Sequence, residues 1–345
     1  MRKLLRTLYI TAPEVMTLDE GTLVITADNE EIGSMPVRYL ETICYYGYKP
    51  IRPTLMDACA EYGVRISVFH PDGQFISSIA GGHEDSFTLR RRQYMVADDT
   101  LGKGLDIARN IIAAKIFNSR WLVGRMYNEY EGQIDVNFVK ERQGVLKNIL
   151  REAFAVREIE PLFEIRKRTA RETYAYFDGV ILRQKKTFAF KGRSTKLPMD
   201  RVNILLSFAY GLLEEMCRTA VLSVGLDPYV GFFHKEKPGQ ESLVLDLMEE
   251  YKACIADRFV IMLINGGRIG KEHFAEDEDG DLILTEDGEA AALEYWEEFN
   301  DKTIMHPYQE EKIEWGMLPN VSAMLLSRYL LGKIDKYPPF FRQNP

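Results

Sequence analysis

The chain is poor in cysteine: Cys44, Cys59, Cys217 and Cys254 are the only four in 345 residues, and none are spaced as C-x-x-C. Scattered thiols in apolar surroundings argue against a disulfide framework and a zinc site. They read as buried free thiols of a reducing, cytoplasmic protein. No run of about eighteen apolar residues occurs, so no membrane span is expected. The start MRKLLRTLYITAPE is too short and too polar in its apolar part for a secretory signal, and TLYIT reads as a strand. A G-x-x-x-x-G-K loop is missing, which argues against ATP hydrolysis. INGGRIG follows a helical pattern, not a strand, so it carries no dinucleotide fingerprint. Histidine is also scarce. Of five, His70 sits at a turn, His83 in a Gly-rich loop, His273 beside acids and His306 before Pro307. No Ser-His-Asp or Cys-His spacing stands out, and there are no repeats or low-complexity tracts.

What is present suffices for a large core. Apolar residues make up 46% and charged residues 28%, room for two domains or one large one. The first eighty residues read as β: Leu8 to Ile10, Thr22 to Thr26, Val37 to Cys44, and a hairpin of Val64 to Phe69 and Gln74 to Ile79 around His70-Pro71-Asp72-Gly73. One amphipathic helix, Pro53 to Tyr62, interrupts them. Gly81-Gly82 closes this part. From about Thr88 the apolar period becomes 3.6. Helices are expected along a stripe from Leu105 to Met126 and at 139–154, 171–184, 201–224, 242–264, 289–304 and 317–331, with a small hairpin or loop at Ala275 to Thr285. The expectation is an α+β chain: a β-rich domain at 1–85, a junction at 86–100 and an all-α domain at 101–345.

The fifth histidine, His234, lies in the segment GFFHKEKPGQESLVLDLMEEY, Gly231 to Tyr251. Twelve residues on, Asp246, Glu249 and Glu250 fall on a helix, and residues three and four apart share a face. A loop histidine folded over such carboxylates makes a mostly oxygen donor set suited to Mg²⁺ or Mn²⁺, the ions of phosphoryl transfer. The same pattern is also that of a core-packed helix with a solvated acidic side.

Net charge is −8, yet Arg166 to Lys196 holds ten basic residues against Glu172 and Asp178, a local +8 that leaves −16 elsewhere. Such a one-signed field on one face lets an acidic protein bind phosphate backbones. Arg90, Arg91 and Arg92 form a second cluster. These three, with Lys185, Lys186, Lys191, Arg193 and Lys196, are the candidate DNA contacts. Asn203, Ser207 and Tyr210 form a polar stripe on an apolar helix and are expected to line a cleft or to be hydrogen-bonded core.

GFFH and SLVLDLMEE, preceded by NILLSFAYGLL and GLDPYVG, resemble the CRISPR adaptation integrase family, the larger of the two spacer-acquisition proteins. LLRTLYIT, FTLRRRQY, KIEWGMLPN and RYLLGKIDKYPPF resemble its subtype I-C branch, so the resemblance spans nearly the whole chain. It implies a metal-dependent DNA integrase: a prespacer 3′-hydroxyl attacks a phosphodiester at a CRISPR repeat. His234 and Glu249 would hold the metal with Asp246 beside it. It implies double-stranded DNA as substrate, a homodimer through the β domain, the small second adaptation protein as partner, and a prespacer-trimming nuclease nearby. Two other readings stay open: a non-catalytic DNA-binding scaffold, and a metal-dependent endonuclease on branched DNA.

One position departs from the family. Its third metal ligand is a glutamate in a stretch like L-R-G-I-E-G. In LFEIRKRTARETYAYF, Ile165 matches the isoleucine and Arg166 stands where the glutamate belongs. A cation there repels a metal and pairs with Asp246 or Glu249 instead. Otherwise Glu164 or Glu172 takes over through a shifted helix, or the ungapped alignment is wrong.

Overall fold

Alternation along β2 (Thr7–Thr11) builds the first sheet, because successive side chains point to opposite faces. The computed structural model describes residues 2–4, 7–11, 15–40, 42–70, 75–79, 84–194, 196 and 200–342. β2 is joined by β1 (Arg2–Leu4), β6 (Thr42–Tyr46), β7 (Arg65–Phe69) and β8 (Phe75–Ile79). The order is β1-β2-β6-β7-β8, parallel at β2/β6 and β6/β7 and antiparallel at both edges. α1 (Pro53–Glu61) is the crossover between β6 and β7, and Pro53 opens its first turn.

β3 (Val15–Asp19), β4 (Thr22–Ala27) and β5 (Glu30–Pro36) form a separate antiparallel meander. Its two turns, Glu20-Gly21 and Asp28-Asn29, have φ of 43°, 78°, 51° and 67°, the all-positive pattern of tight hairpins. One face of the large sheet, with Leu8, Ile10, Ile43 and Ile66, packs on α1 and this meander. The other, with Tyr9, Cys44 and Phe69, joins the core of the helices.

The helices are α2 (Glu84–Ala97), α3 (Lys103–Glu129), α4 (Val136–Ala155), α5 (Glu160–Val180), α6 (Arg201–Ser223), α7 (Ser242–Tyr251), α8 (Arg258–Asn265), α9 (Glu286–Asn300) and α10 (Leu318–Leu330). α3 is the hub, packed against α4, α5 and α7. A π-helical turn, Lys252–Asp257, joins α7 to α8 without a break. Two small hairpins sit among the helices: β9 (Phe274–Glu276) with β10 (Leu282–Leu284), and β11 (Thr303–Met305) with β12 (Lys312–Glu314). None of the described helices is long and apolar enough to cross a membrane. All four cysteines are buried free thiols.

The β-then-helical order is the expected one. Four details differ. β3 and β5 were not anticipated: the polar residues of β5 hide its period of two, and β3 is only five residues long. Val37–Tyr39 is a 3-10 turn, not strand: it follows Pro36, and the Val37 N–H is pinned to the Gly21 carbonyl at 3.1 Å. α5 begins at Glu160, with Pro161 in its first turn, and its buried Leu162, Ile165, Thr169, Thr173, Tyr176, Phe177 and Val180 keep one face inward. Its basic residues therefore lie on a helix, not in a preceding loop. Finally, α9 starts early, where the Thr285 hydroxyl accepts the Gly288 N–H at 3.2 Å, and Ile304 is in β11. The segment expected as a junction, 86–100, is mostly α2. The expected turn at 71–73, Gly81-Gly82 and His83 lie outside the described residues.

Candidate functional site

α7 is buried all round, and it is rich in charge. Leu243, Val244, Leu247 and Met248 are buried, and Asp246, Glu249 and Glu250 are each 0% exposed. A buried carboxylate is costly unless paired or hydrogen-bonded. Each of the three is compensated differently.

Asp246 organises the histidine loop. Its Oδ2 accepts the backbone N–H groups of Phe232 (2.6 Å) and Phe233 (2.9 Å). Its Oδ1 accepts the His234 N–H (2.8 Å) and faces His234 Nδ1 at 2.7 Å. The ring is thereby fixed with Nε2 directed away from Asp246. The loop comes so close that a Cβ at Gly231 would lie 2.8 Å from Asp246 Oδ2, so glycine is required there. Phe233 in turn packs on Phe163 of α5, with ring centroids 4.6 Å apart.

Glu249 is held by cations. Lys115 Nζ of α3 lies 2.7 Å from Oε2, while Lys252 Nζ (2.9 Å) and Arg166 Nη1 (3.3 Å) meet Oε1. Burial by itself would raise the Glu249 pKa; the three charges overturn it and hold the carboxyl well below its usual range. Lys115 shows the converse. Burial depresses its pKa, and Glu249 works against that.

Glu250 points into the protein. It accepts hydrogen bonds from the Tyr337 hydroxyl, from the Phe340 N–H (2.8 Å) and from the Ser322 hydroxyl (3.4 Å). Burial pushes its pKa up to about 7, against the pull of these donors. The strand of chain that supplies them is fastened further by Asn118. Its Nδ2 bridges the carbonyls of Glu250 (2.7 Å) and Phe340 (2.8 Å), and its Oδ1 accepts the Arg342 N–H (2.8 Å). Tyr251 stacks on Phe340 at 5.5 Å.

Behind Lys252, the π turn delivers a fourth buried acid, Asp257. Tyr210 Oη donates to it at 2.6 Å, and Tyr174 Oη lies 2.8 Å from Tyr210 Oη. Burial raises the Asp257 pKa to about 6. A π turn in this position is frequent at functional sites.

Arg166 separates this buried cluster from a cleft of about 690 Å³. The cleft is bordered by Arg166, Lys167, Arg171, Tyr174 and Asp178 of α5, by Glu164, and by Lys191 and Arg193 of the following loop. Asn203 pins that loop: Nδ2 donates to the Gly192 carbonyl (2.9 Å), and Oδ1 accepts from Ser194 N (2.8 Å) and Arg193 Nη1 (3.1 Å). Ser207 Oγ accepts from Arg193 Nη2 at 3.0 Å, and the guanidinium lies 5.4 Å from the Tyr210 ring centroid. Asn203, Ser207 and Tyr210 thus stand behind the wall of this cleft and fix Arg193 in it; they do not border it.

The remaining candidates scatter. Lys185, Lys186 and Lys196 are exposed. Arg90 hydrogen-bonds the Gly225 carbonyl at 3.1 Å and helps fasten α2 to the loop after α6. Arg91 borders a second cleft with Arg65, Phe87 and Tyr94, and Arg92 is exposed. Sequence reasoning missed Lys115, Lys252 and Asp257. A single lysine inside IIAAKIF was the available signal for the first, and the i,i+3 spacing from Glu249 for the second.

The donor set does not fit a divalent ion. Asp246 spends both oxygens on the loop, Glu249 already faces three cations, and Arg166 adds a positive charge where a third ligand is required. No group of three His, Cys, Asp or Glu side chains among the described residues is arranged to hold a metal. Glu164 does not substitute, being 66% exposed and paired with Lys167 at 2.7 Å; Glu172 pairs with Arg142 of α4.

A β-rich part leading into a helical part is a fold found in solved structures. One titled "Casposase bound to integration product" has a TM-score of 0.78 at 21% identity, with 98% of this chain and 100% of that one covered. Another, "Partial Cas6-RT-Cas1--Cas2 complex", has a TM-score of 0.74 at 16% identity, covering 98% and 99%. The family described as "CRISPR associated protein Cas1" matches residues 8–298, and a relative from Chlorobaculum tepidum, "CRISPR-associated endonuclease Cas1 1", is 35% identical over 99% of both chains. The chain belongs to the Cas1 family.

Proposed function

We propose that this chain is a DNA-gripping, strand-positioning subunit of a CRISPR adaptation integrase, with its own metal pocket closed by Arg166. Family membership and the casposase and Cas2-complex neighbours support a role in DNA integration. The resemblance of its terminal motifs supports the subtype I-C branch, a homodimer built through the β-rich region and the small second adaptation protein as partner. The single observation that carries the closed pocket is the Arg166–Glu249 contact at 3.3 Å, reinforced by Lys115 and Lys252.

The chain's own residues then have defined tasks. Asp246 shapes the loop and presents His234. Glu249 neutralises part of the surrounding positive charge. Arg193 and Lys191, with the exposed Lys185, Lys186, Lys196, Arg91 and Arg92, contact phosphates, so binding weakens steeply with salt. In this reading the 3′-hydroxyl attack expected of the family needs Mg²⁺ or Mn²⁺ at His234 and Glu249, and this pocket does not accept the ion.

The test is Arg166→Glu, read by thermal unfolding with and without MnCl₂ and by joining of a labelled prespacer to a repeat-bearing plasmid in the presence of the small partner. The parent chain is expected to show no metal-dependent stabilisation. The variant should gain about 2–3 kcal/mol at saturating Mn²⁺, the mass-action gain near a hundredfold excess over Kd, and should join DNA. Mn²⁺ stabilisation of the parent, or joining that is lost on His234→Ala, refutes the closed pocket and establishes a working integrase.

A further inference from the structure

The cleft outside Arg166 has a charge surplus that the closed pocket does not explain. Its border carries five cations, Arg166, Lys167, Arg171, Lys191 and Arg193, against Glu164 and Asp178. Lys167 and Glu164 pair with each other at 2.7 Å. Asp178 Oδ1 accepts the Phe190 N–H. Arg171 and Lys191 have no ion-pair partner among the described residues. Among the described residues the hydrogen-bond acceptors of Arg193 are neutral: the carbonyls of Ser194 and Asn203, the Asn203 amide oxygen and the Ser207 hydroxyl. Arg166 shares the one charge of Glu249 with two lysines that lie closer to it. The border thus carries five cations against two carboxylates, and Asp257 behind Arg193 offsets part of the remainder, so the cleft keeps a positive excess; two of the arginines are held in place by contacts behind the wall.

The geometry points to this cleft as a metal-independent site for a phosphomonoester at the end of a DNA strand. A phosphomonoester carries about −1.5 to −2 charge at pH 7 and three strong acceptor oxygens; an internal phosphodiester carries a single charge. Guanidinium groups meet such oxygens with paired N–H donors. The cleft volume of about 690 Å³ lies within the roughly 300–1,000 Å³ of small-ligand sites, enough for a terminal nucleotide and its phosphate. Tyr174, half-buried and fixed through Tyr210, supplies an aromatic edge for the sugar or base. In place of a metal that binds a reacting phosphate, fixed side-chain cations hold a terminal one. The inference rests on the proposal that the chain binds DNA.

The test compares short oligodeoxythymidines that differ only at their ends, by fluorescence anisotropy on the full chain in EDTA. An oligonucleotide ending in phosphate is expected to bind about tenfold tighter than its all-hydroxyl counterpart, the size of one added charge-assisted contact. Arg171→Ala and Lys191→Ala, both exposed and safe for folding, should erase that preference. Lys312→Ala, on a distant hairpin, should keep it. Equal affinity for the two ends overturns the inference while leaving DNA binding intact. Displacement by free deoxythymidine monophosphate at equal concentration overturns the strand end as ligand, because it assigns the cleft to free nucleotides. Failure to bind any DNA overturns the proposed function along with it.

Discussion

Glu249 and Glu250 are neighbours in sequence, equally buried, on one helix, yet their surroundings are opposite. Glu249 faces Lys115, Lys252 and Arg166 and is held ionised. Glu250 faces Tyr337, Ser322 and the Phe340 N–H, all neutral, and its pKa is pushed up to about 7. Burial acts on both in the same direction, so the difference comes from the partners. Cations make a buried carboxylate a fixed charge that biases the cleft beyond it. Neutral donors make it a proton-sensitive knot that fastens the chain. One residue step along the helix thus separates an electrostatic element from a structural one.

The sharpest way to break this contrast is Glu249→Gln. It strips Lys115, itself 8% exposed, of its ion-pair partner and leaves it only the more distant charge of Asp257. A loss of about 3–5 kcal/mol is expected, as for removal of one member of a buried ion pair. Denaturant unfolding reads it, and adding Lys115→Met should recover much of the loss. If the single variant is no less stable than the parent, the cations do not depend on Glu249.

Glu250→Gln tests the other half. The native pKa of about 7 lies above the ordinary 4.5, so the folded state holds a proton that the unfolded state releases between those values. Stability contributed by this group is therefore full below about pH 4.5 and falls as pH rises to about 7. The amide imitates the protonated acid. The variant should match the parent at pH 4 and exceed it at pH 8 by on the order of 3 kcal/mol, from the shift of about 2.5 units at 1.36 kcal/mol each. A pH-independent difference would show that Glu250 is not the titrating group.

Tyr337→Phe is the mildest probe. It removes one donor to Glu250 and should cost about 1–2 kcal/mol. The cost should be larger at pH 8, where the carboxylate is charged, than at pH 5. An equal cost at both values would assign the Tyr337 contribution to packing.

The contrast also marks what could be read from sequence. His234, Asp246 and the helix behind them follow from a loop motif and an apolar run, and the structure brings His234 and Asp246 together; Glu250, expected on the same face, turns away to Tyr337 and Phe340. Arg166 was recognised as an intruder, although α5 was expected to start eleven residues later than it does. The partners of both glutamates were not legible. Lys115 sits in an apolar stripe where its charge looks incidental. Asp257 is the last residue of a π turn, which changes the helical phase so that spacing counted along α7 no longer applies. Tyr337 and Phe340 are about ninety residues away in the chain, and no local pattern links them to Glu250. β3 and β5 escaped for local reasons: β5 is too polar to show alternation, and β3 is a short run of five residues.

That ninety-residue separation has a consequence in time. At roughly 5–20 residues per second of synthesis, about 5–18 s pass between the making of Glu250 and of Phe340. During this interval α7 carries a carboxylate that cannot be buried with its donors, so the helix that bears Asp246 and Glu249 cannot settle into its final place. The histidine motif is therefore complete in sequence well before it can be assembled. A nascent chain stalled between 251 and 337 would hold every residue of the histidine loop and still lack the pocket, exposing an unfinished helical surface to chaperones and proteases.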